Sequence, residues 1–406
     1  MPTPDPPGGL EEFLADPDNA VLDLSTAVAR CARALDVPRA EVYLADLQQR
    51  LLVPLNERKG EGDSAGEGRD GGASTVPVDG SLAGWTYRTL SLRAGESPAG
   101  GMTAWLPLLD GAERLGVLAV HAPYLDAALL RRGRALASLV AMMITSKRAY
   151  KDDVVQVTRA EPMQLPAEML RAFLPPRTIG NSHVISTAVL EPAYEIGGDA
   201  FDHCLTRTAL HATIVDAMGH NLLSGLTTAV ALAACRNGRR TGADLPALME
   251  TVDAALGRWL PDQFCTGVLI RLDLASGALR WSNCGHPPPL LVRDNRLIEG
   301  ALEREPDSPM GFSPSFRSAE RQVHETALEP GDRVLLYTDG LTEARLPDGT
   351  EFGLERFADS VIRASTAGEV APETLRRLIH SILEGQADPL RDDATILMIE
   401  WRPPGR

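Results

Sequence analysis

Lysine is nearly missing from this chain of 406 residues: only Lys59, Lys147 and Lys151 occur, and none follows position 151. Everything beyond that point lacks a side chain for a Schiff base or a lysine phosphate cradle, and no G-x-x-x-x-G-K loop is present to mark a nucleotide site. Chemistry in the C-terminal part must fall to carboxylates, metals or arginine. The five cysteines, Cys31, Cys204, Cys235, Cys265 and Cys284, are odd in number, widely spaced and never paired as C-x-x-C, which argues against a disulfide framework and a thiolate zinc site. No apolar run approaches the roughly 18 residues of a membrane helix. The N-terminal MPTPDPPGGLEEFLADPDN has neither the cationic start nor the apolar core of a secretory signal, so the sequence reads as cytoplasmic with no membrane partner. Positive charge is short overall. A net charge of −15 sets a repulsive field before any polyphosphate, which excludes nucleic acid as a partner and favours a basic protein segment.

What is present suffices for real cores, since 44% of residues are hydrophobic and 23% charged, and the length predicts roughly two to three domains. Residues 1–17, rich in Pro, Gly and acid, read as a disordered tail. Over 18–148 helical spacing at 22–35 is followed by strand patterns at 41–45, 51–55, 104–109 and 115–120. A Gly-rich loop at 58–74 interrupts them, and Asp110-Gly111 lies in a connection longer than a two-residue hairpin. From Asp126 to Tyr150 a long helix is predicted, with Leu129, Leu136, Val140 and Met143 at offsets of seven, four and three. That spacing suits either a coiled-coil seam, hence a homodimer, or a terminal helix packed on its own domain. A helical linker is predicted over 149–179, including a helix at 167–173 stopped by Pro175-Pro176. Over 180–402 strand patterns dominate, at 184–190, 209–216, 266–274, 278–282, 289–292, 333–338 and 394–401. Helices fit at 222–237, 245–259, 354–364 and 372–385, so the fold class is α+β.

Four acidic features in this last region sit where a predicted strand meets a turn: Gly197-Gly198-Asp199, Asp216, Asp339-Gly340 and Asp392-Asp393. A strand end is rigid on one side and open on the other, and neighbouring glycines allow close backbone approach. Taken singly, each reads as an ordinary turn or a solvated strand start. If they converge, carboxylates about 4 Å apart repel by about 4 kcal/mol at an effective dielectric near 20, so a cation must sit among them. Hard oxygen ligands select Mg²⁺ or Mn²⁺. Two such ions would lower the pKa of a water from about 15.7 towards about 7 and orient it for attack on phosphorus, with no protein nucleophile. A D-x-D phosphatase nucleophile is missing, the one such triplet being Asp16-Pro17-Asp18 in the tail.

The segments EPAYEIGGDAFD (191–202), VDAMGHNLLSGL (215–226), NCGHPPPLLV (283–292), LEPGDRVLLYTDGLTEARLPDGTEFG (328–353) and RDDATILMI (391–399) resemble, in order, the SpoIIE branch of bacterial PPM-type serine/threonine phosphatases. The resemblance implies a β-sandwich flanked by helices with a dinuclear Mn²⁺ or Mg²⁺ site between its sheets. The ligands would be Asp199, Asp216, the carbonyl of Ala217, Asp339 and Asp392, with Asp393 the lesser of its pair. Gly198, Gly219, His220, Asn283, His286 and Gly340 would be supporting turn residues. Three positions depart from the family pattern: Asn221 replaces a glycine, Cys284 an alanine, and Ala200 a common aromatic. Residues 18–148 more loosely resemble a GAF domain through ALDVPRAEVYLAD, GSLAGWTYRT and the WLPLL and LGVLAV strands, implying a small-molecule or protein signal. The two resemblances imply hydrolysis of phosphoserine or phosphothreonine on a protein, such as a phosphorylated anti-sigma-factor antagonist, under control of the GAF-like domain through the linker. The alternative is a catalytically silent signalling scaffold that uses the same fold to bind a partner.

Overall fold

The structure is a computed structural model, and it describes Glu11 and residues 22–55, 74–98, 100–195, 197–219, 221–312, 321–346, 349–366, 368–385, 390 and 392–402. All of the tail 1–17 but Glu11, and all of the stretch 58–74 but Ser74, lie outside these described residues. The chain divides into two compact units between Ala160 and Glu161.

In the first unit β1 (Arg39–Ala45), β2 (Leu51–Pro54), β3 (Val76–Pro77), β4 (Arg93–Glu96), β5 (Met102–Asp110) and β6 (Glu113–Ala122) form one antiparallel sheet in the order β3-β2-β1-β6-β5-β4. Its helices are α1 (Leu24–Ala34), α2 (Leu82–Thr89), α3 (Ala127–Lys147) and α4 (Asp152–Val157). Alternation along β1 sends Val42 and Leu44 to the face covered by α1, α3 and α4, and Tyr43 to the face covered by α2. The expected long connection between β5 and β6 is corrected: Asp110 pairs with Glu113, leaving a tight Gly111-Ala112 turn with Gly111 at φ 60°. A register shift at Leu108/Leu109 absorbs the mismatch that the sequence pattern presents as loop.

The α3 helix opens on Asp126, whose side chain accepts a hydrogen bond from the Leu129 backbone at 2.6 Å. Leu129, Leu136 and Val140 are buried in the core of their own unit, and Met143 packs against it. The helix therefore packs on its own domain, and its apolar stripe is not free to serve as a dimer seam. Within 149–179, α4 adds Val154 to this first core, whereas α5 (Leu165–Phe173) adds Ala167 and Leu170 to the core of the second unit.

The second unit contains two antiparallel sheets. Its strands are β7 (Thr178–Gly180), β8 (Val184–Glu191), β9 (Asp199–Leu205), β10 (Ala209–Ala217), β11 (Cys265–Asp273), β12 (Ala278–Cys284), β13 (Leu290–Arg293), β14 (Arg296–Leu297), β15 (His324–Ala327), β16 (Arg333–Tyr337) and β17 (Ala394–Trp401). The five-stranded sheet runs β15-β12-β11-β10-β9 and the six-stranded sheet β14-β13-β16-β17-β8-β7. Helices α6 (Leu222–Arg240), α7 (Leu245–Trp259), α8 (Asp339–Thr342), α9 (Gly353–Thr366) and α10 (Ala371–Glu384) complete it. Period-two alternation builds the layers. Ile214, Val268, Trp281, Val334, Leu336 and Leu397 meet in a core that both sheets share. Their sequence neighbours face outward: Val215 and Leu269 pack with α6 and α7, and Leu335 and Tyr337 with α9 and α10. The result is a helix-flanked β-sandwich, a mixed α+β fold. Strand β9, which carries Asp199, has no counterpart among the strands predicted from sequence.

Candidate active site

The antiparallel pairing of β9 with β10 places Asp199 directly opposite Asp216. Facing residues on a sheet have Cβ atoms about 4.5–5.5 Å apart, and like charges there are destabilising. Here the two carboxylates are within hydrogen-bonding reach of each other. Burial, followed by the charges of Asp216 and Asp393, pushes Asp199 well above the usual carboxylate range. Asp216 is pushed up to about 7, first by burial and then by Asp339, Asp392 and Asp393. Asp339 is raised by partial desolvation and the charge of Asp392. The four predicted aspartates form a gradient of depth: Asp199 is buried, Asp216 half-buried, and Asp339 and Asp392 exposed at the rim.

Four strand ends and two glycines fix this arrangement. Asp339 follows β16 at the start of α8, and Asp392 precedes β17, which pairs with β16. A Cβ on Gly340 would lie 2.1 Å from the Asp393 carbonyl, so only glycine lets these two turns touch. A Cβ on Gly198 would lie 2.6 Å from the Ala217 carbonyl and 2.5 Å from that of Gly219. The Gly198 carbonyl accepts from the Ala217 backbone N–H at 3.2 Å and from the Thr228 hydroxyl of α6, which ties the Asp199 turn to the end of β10.

Asp393 faces away from the solvent-open rim. One of its oxygens, Oδ2, accepts from the backbone N–H groups of Gly197 at 2.9 Å, Gly198 at 2.7 Å and Asp199 at 3.1 Å. Such a nest of backbone donors favours a carboxylate. The second oxygen-rich feature is a pair of hydroxyls: Thr338 donates to Asp199 Oδ2 at 2.6 Å and Thr395 donates to the same atom at 2.8 Å. Sequence reasoning missed both threonines and the Asp393 nest. The available signal was two polar residues, Thr338 and Thr395, beside acidic turns in otherwise apolar strands.

Of the other predicted turn residues, Gly219 has φ 87°, and His220 lies outside the described residues. Asn221 has φ −106°, an extended backbone open to any residue, and it caps α6 by accepting from the backbones of Leu223 and Ser224 while Ser224 bonds back. Asn283 and His286 staple their own turn: Asn283 Nδ2 donates to the His286 carbonyl at 2.7 Å, and His286 N donates to Asn283 Oδ1 at 2.8 Å. The His286 ring meets the Thr266 hydroxyl at 2.8 Å, and burial pushes it down to about 4, so it is neutral at neutral pH. Cys284 and Ala200 fit where they stand, both fully buried against the α6–α7 layer, Cys284 with its sulfur 3.3 Å from that of Met249.

The donor set suits a divalent cation. Its members are hard oxygens, and burial and mutual repulsion raise three of their pKa values. No ion pair to Asp199, Asp216, Asp339 or Asp392 occurs among the described residues. Among the described residues no three His, Cys, Asp or Glu side chains lie together as a group that could hold a metal ion, so the fit rests on the chemistry of the donors.

The family described as Stage II sporulation protein E (SpoIIE) matches residues 206–402. Residues 206–402 form a SpoIIE-type domain of the PPM serine/threonine phosphatases. The chain is similar to "Phosphoserine phosphatase RsbU" of Bacillus subtilis (strain 168), at 22% identity over 269 residues, covering 64% of this chain and 77% of the relative. "Phosphoserine phosphatase RsbP" of the same organism is 25% identical over 171 residues, covering 41% of each chain. Among solved structures, the SiaA-PP2C domain of Pseudomonas aeruginosa is 25% identical with a TM-score of 0.49, covering 58% of this chain and 92% of that one. Among the described residues no helix is long and apolar enough to cross a membrane.

Proposed function

We propose that this chain hydrolyses phosphoserine or phosphothreonine on a regulatory protein in a reaction dependent on Mn²⁺ or Mg²⁺. The observation that carries the reading is the facing pair Asp199 and Asp216 with Asp339 and Asp392 at the solvent-open rim. Asp199, Asp216, the Ala217 carbonyl, Asp339 and Asp392 would hold two ions. Bound there, such ions supply the Lewis acidity that lowers the pKa of a water and offsets charge on the phosphoryl oxygens. The chain's own residues set the geometry. Asp199 is held by hydroxyls of the six-stranded sheet and Asp216 by its pairing with Asp199, and the exposed rim admits a phosphate borne on another protein's surface. Cys235, Cys265 and Cys284 are poorly suited to act as nucleophiles, since all three are buried and burial raises each thiol. His286 is held neutral in a stapled turn, which suits a structural brace rather than an acid.

That both Bacillus relatives are phosphoserine phosphatases supports phosphoserine, and a serine-phosphorylated anti-sigma-factor antagonist is the substrate we assign. The first unit is read as a GAF-like sensor that answers a small molecule or protein and governs the phosphatase domain through the 149–179 segment. Phosphate release from such an antagonist, compared with a phosphotyrosine peptide, tests the assignment. Release from the phosphoserine protein alone, dependent on Mn²⁺, is expected; equal release from phosphotyrosine, or none from either, would overturn it.

A further inference from the structure

Asp199 reaches across the sandwich. It begins β9 of the five-stranded sheet, yet both hydroxyls bound to its Oδ2 belong to the six-stranded sheet, Thr338 just past β16 and Thr395 in β17. A third bond links the two threonines: the Thr395 backbone N–H donates to Thr338 Oγ1 at 2.9 Å. The Thr338 hydroxyl lies 2.6 Å from Asp199 Oδ2, much nearer than the 3.5 Å to its other acceptor, the Asp393 carbonyl. Thr338, Thr395 and Asp199 are all buried, so no water competes for these positions.

We propose that Thr338 and Thr395 are positioning residues for the metal-dependent reaction, acting together to fix the plane of the Asp199 carboxylate. Two hydroxyl donors use both lone pairs of Oδ2, which leaves Oδ1 as the oxygen presented to Asp216 and to a cation. The Asp393 nest sets the backbone of the same turn through three N–H groups, whereas the threonines act on the Asp199 side chain itself. The inference rests on the metal-phosphatase reading of this site. It adds that ligand orientation is set from the opposite sheet, so that the two sheets must be in register for the site to form. Partners that orient a ligand in this way typically change metal affinity by about 10–100-fold when removed.

The test is Mn²⁺ titration by calorimetry on the full chain, for wild type, Thr338→Val, Thr395→Val, Thr338→Ser and Thr395→Ser, with the thermal midpoint of each chelator-treated protein measured in parallel. Valine keeps the shape and deletes the hydroxyl; serine restores it. The expected result is an approximately tenfold or greater rise in the Mn²⁺ dissociation constant for each valine variant, and values within about threefold of wild type for each serine variant. Should a valine variant not yield folded protein, the matching Thr→Ala change takes its place. Valine variants that bind Mn²⁺ as tightly as wild type overturn the proposal, and so do serine and valine variants weakened equally. Failure of the underlying reading looks different: wild type itself would then bind no Mn²⁺.

Discussion

Asp216 illustrates how a functional residue is held at a cost to the fold. Its pKa of about 7 lies above that of an unfolded aspartate, near 3.9, so the folded metal-free chain binds more protons than the unfolded chain between those values. Stability of the metal-free protein should therefore be fully present below about pH 4 as far as this group is concerned, and decline as pH rises through about 7. Asp199, shifted in the same direction, reinforces the trend. After chelation, the denaturant midpoint is expected to be lower at pH 8 than at pH 5.5. Asp216→Asn should recover on the order of 1–3 kcal/mol at pH 8 while abolishing phosphatase activity. A midpoint that rises with pH, or an asparagine variant that is less stable at pH 8, would contradict this. The aspartates themselves were legible in the sequence because each stands at the end of a strand pattern, three of them beside a glycine or a second acid. The roles of Thr338 and Thr395 and the backbone nest around Asp393 were not, because the partners lie 139, 196 and about 195 residues away, and only the packing of one sheet on the other brings them together.

At the scale of the element, α6 shows a departure from the family pattern that the fold accommodates. Asn221 replaces a glycine of that pattern; at φ −106° it carries no strain and supplies the cap that a glycine would lack. Asn221→Ala should cost about 1 kcal/mol in a denaturant titration, and Asn221→Gly only a few tenths, with activity of the glycine variant within about twofold of wild type. A loss of several kcal/mol from the glycine change would mean the cap has another role. Gly340→Ala is the contrasting case. Its methyl would meet the Asp393 carbonyl at 2.1 Å, so the turn carrying Asp339 must move away from β17. A destabilisation of about 2 kcal/mol or more with loss of Mn²⁺ binding is expected. Seven strand segments of the second unit could be read from their apolar patterns. The exception that matters is β9, whose sequence DAFDHCL mixes acid and histidine into buried positions because Asp199 serves the site, Asp202 pairs with Arg236 and Arg239, and His203 bonds Ser186. Its polarity reflects those tertiary partners, which local pattern cannot show.

For the whole molecule, each unit has its own core, and the heptad-like spacing of α3 serves the first of them. The sequence could not decide between a dimer seam and a packed helix, since the same few apolar positions satisfy both. The second unit includes α5, so a fragment of residues 161–406 should fold by itself and retain hydrolysis of p-nitrophenyl phosphate, while losing response to any signal at the first unit. An unfolded fragment would show that the two units depend on each other. The central claim is that aspartates distant in sequence act as one divalent-cation site. The most direct test is phosphate release from p-nitrophenyl phosphate by the chelator-stripped full chain before and after addition of Mn²⁺, with Asp339→Asn alongside. Activity that appears only with Mn²⁺ and is reduced at least about a hundredfold in Asp339→Asn is the predicted result; activity indifferent to chelator, or unchanged in Asp339→Asn, would contradict the account.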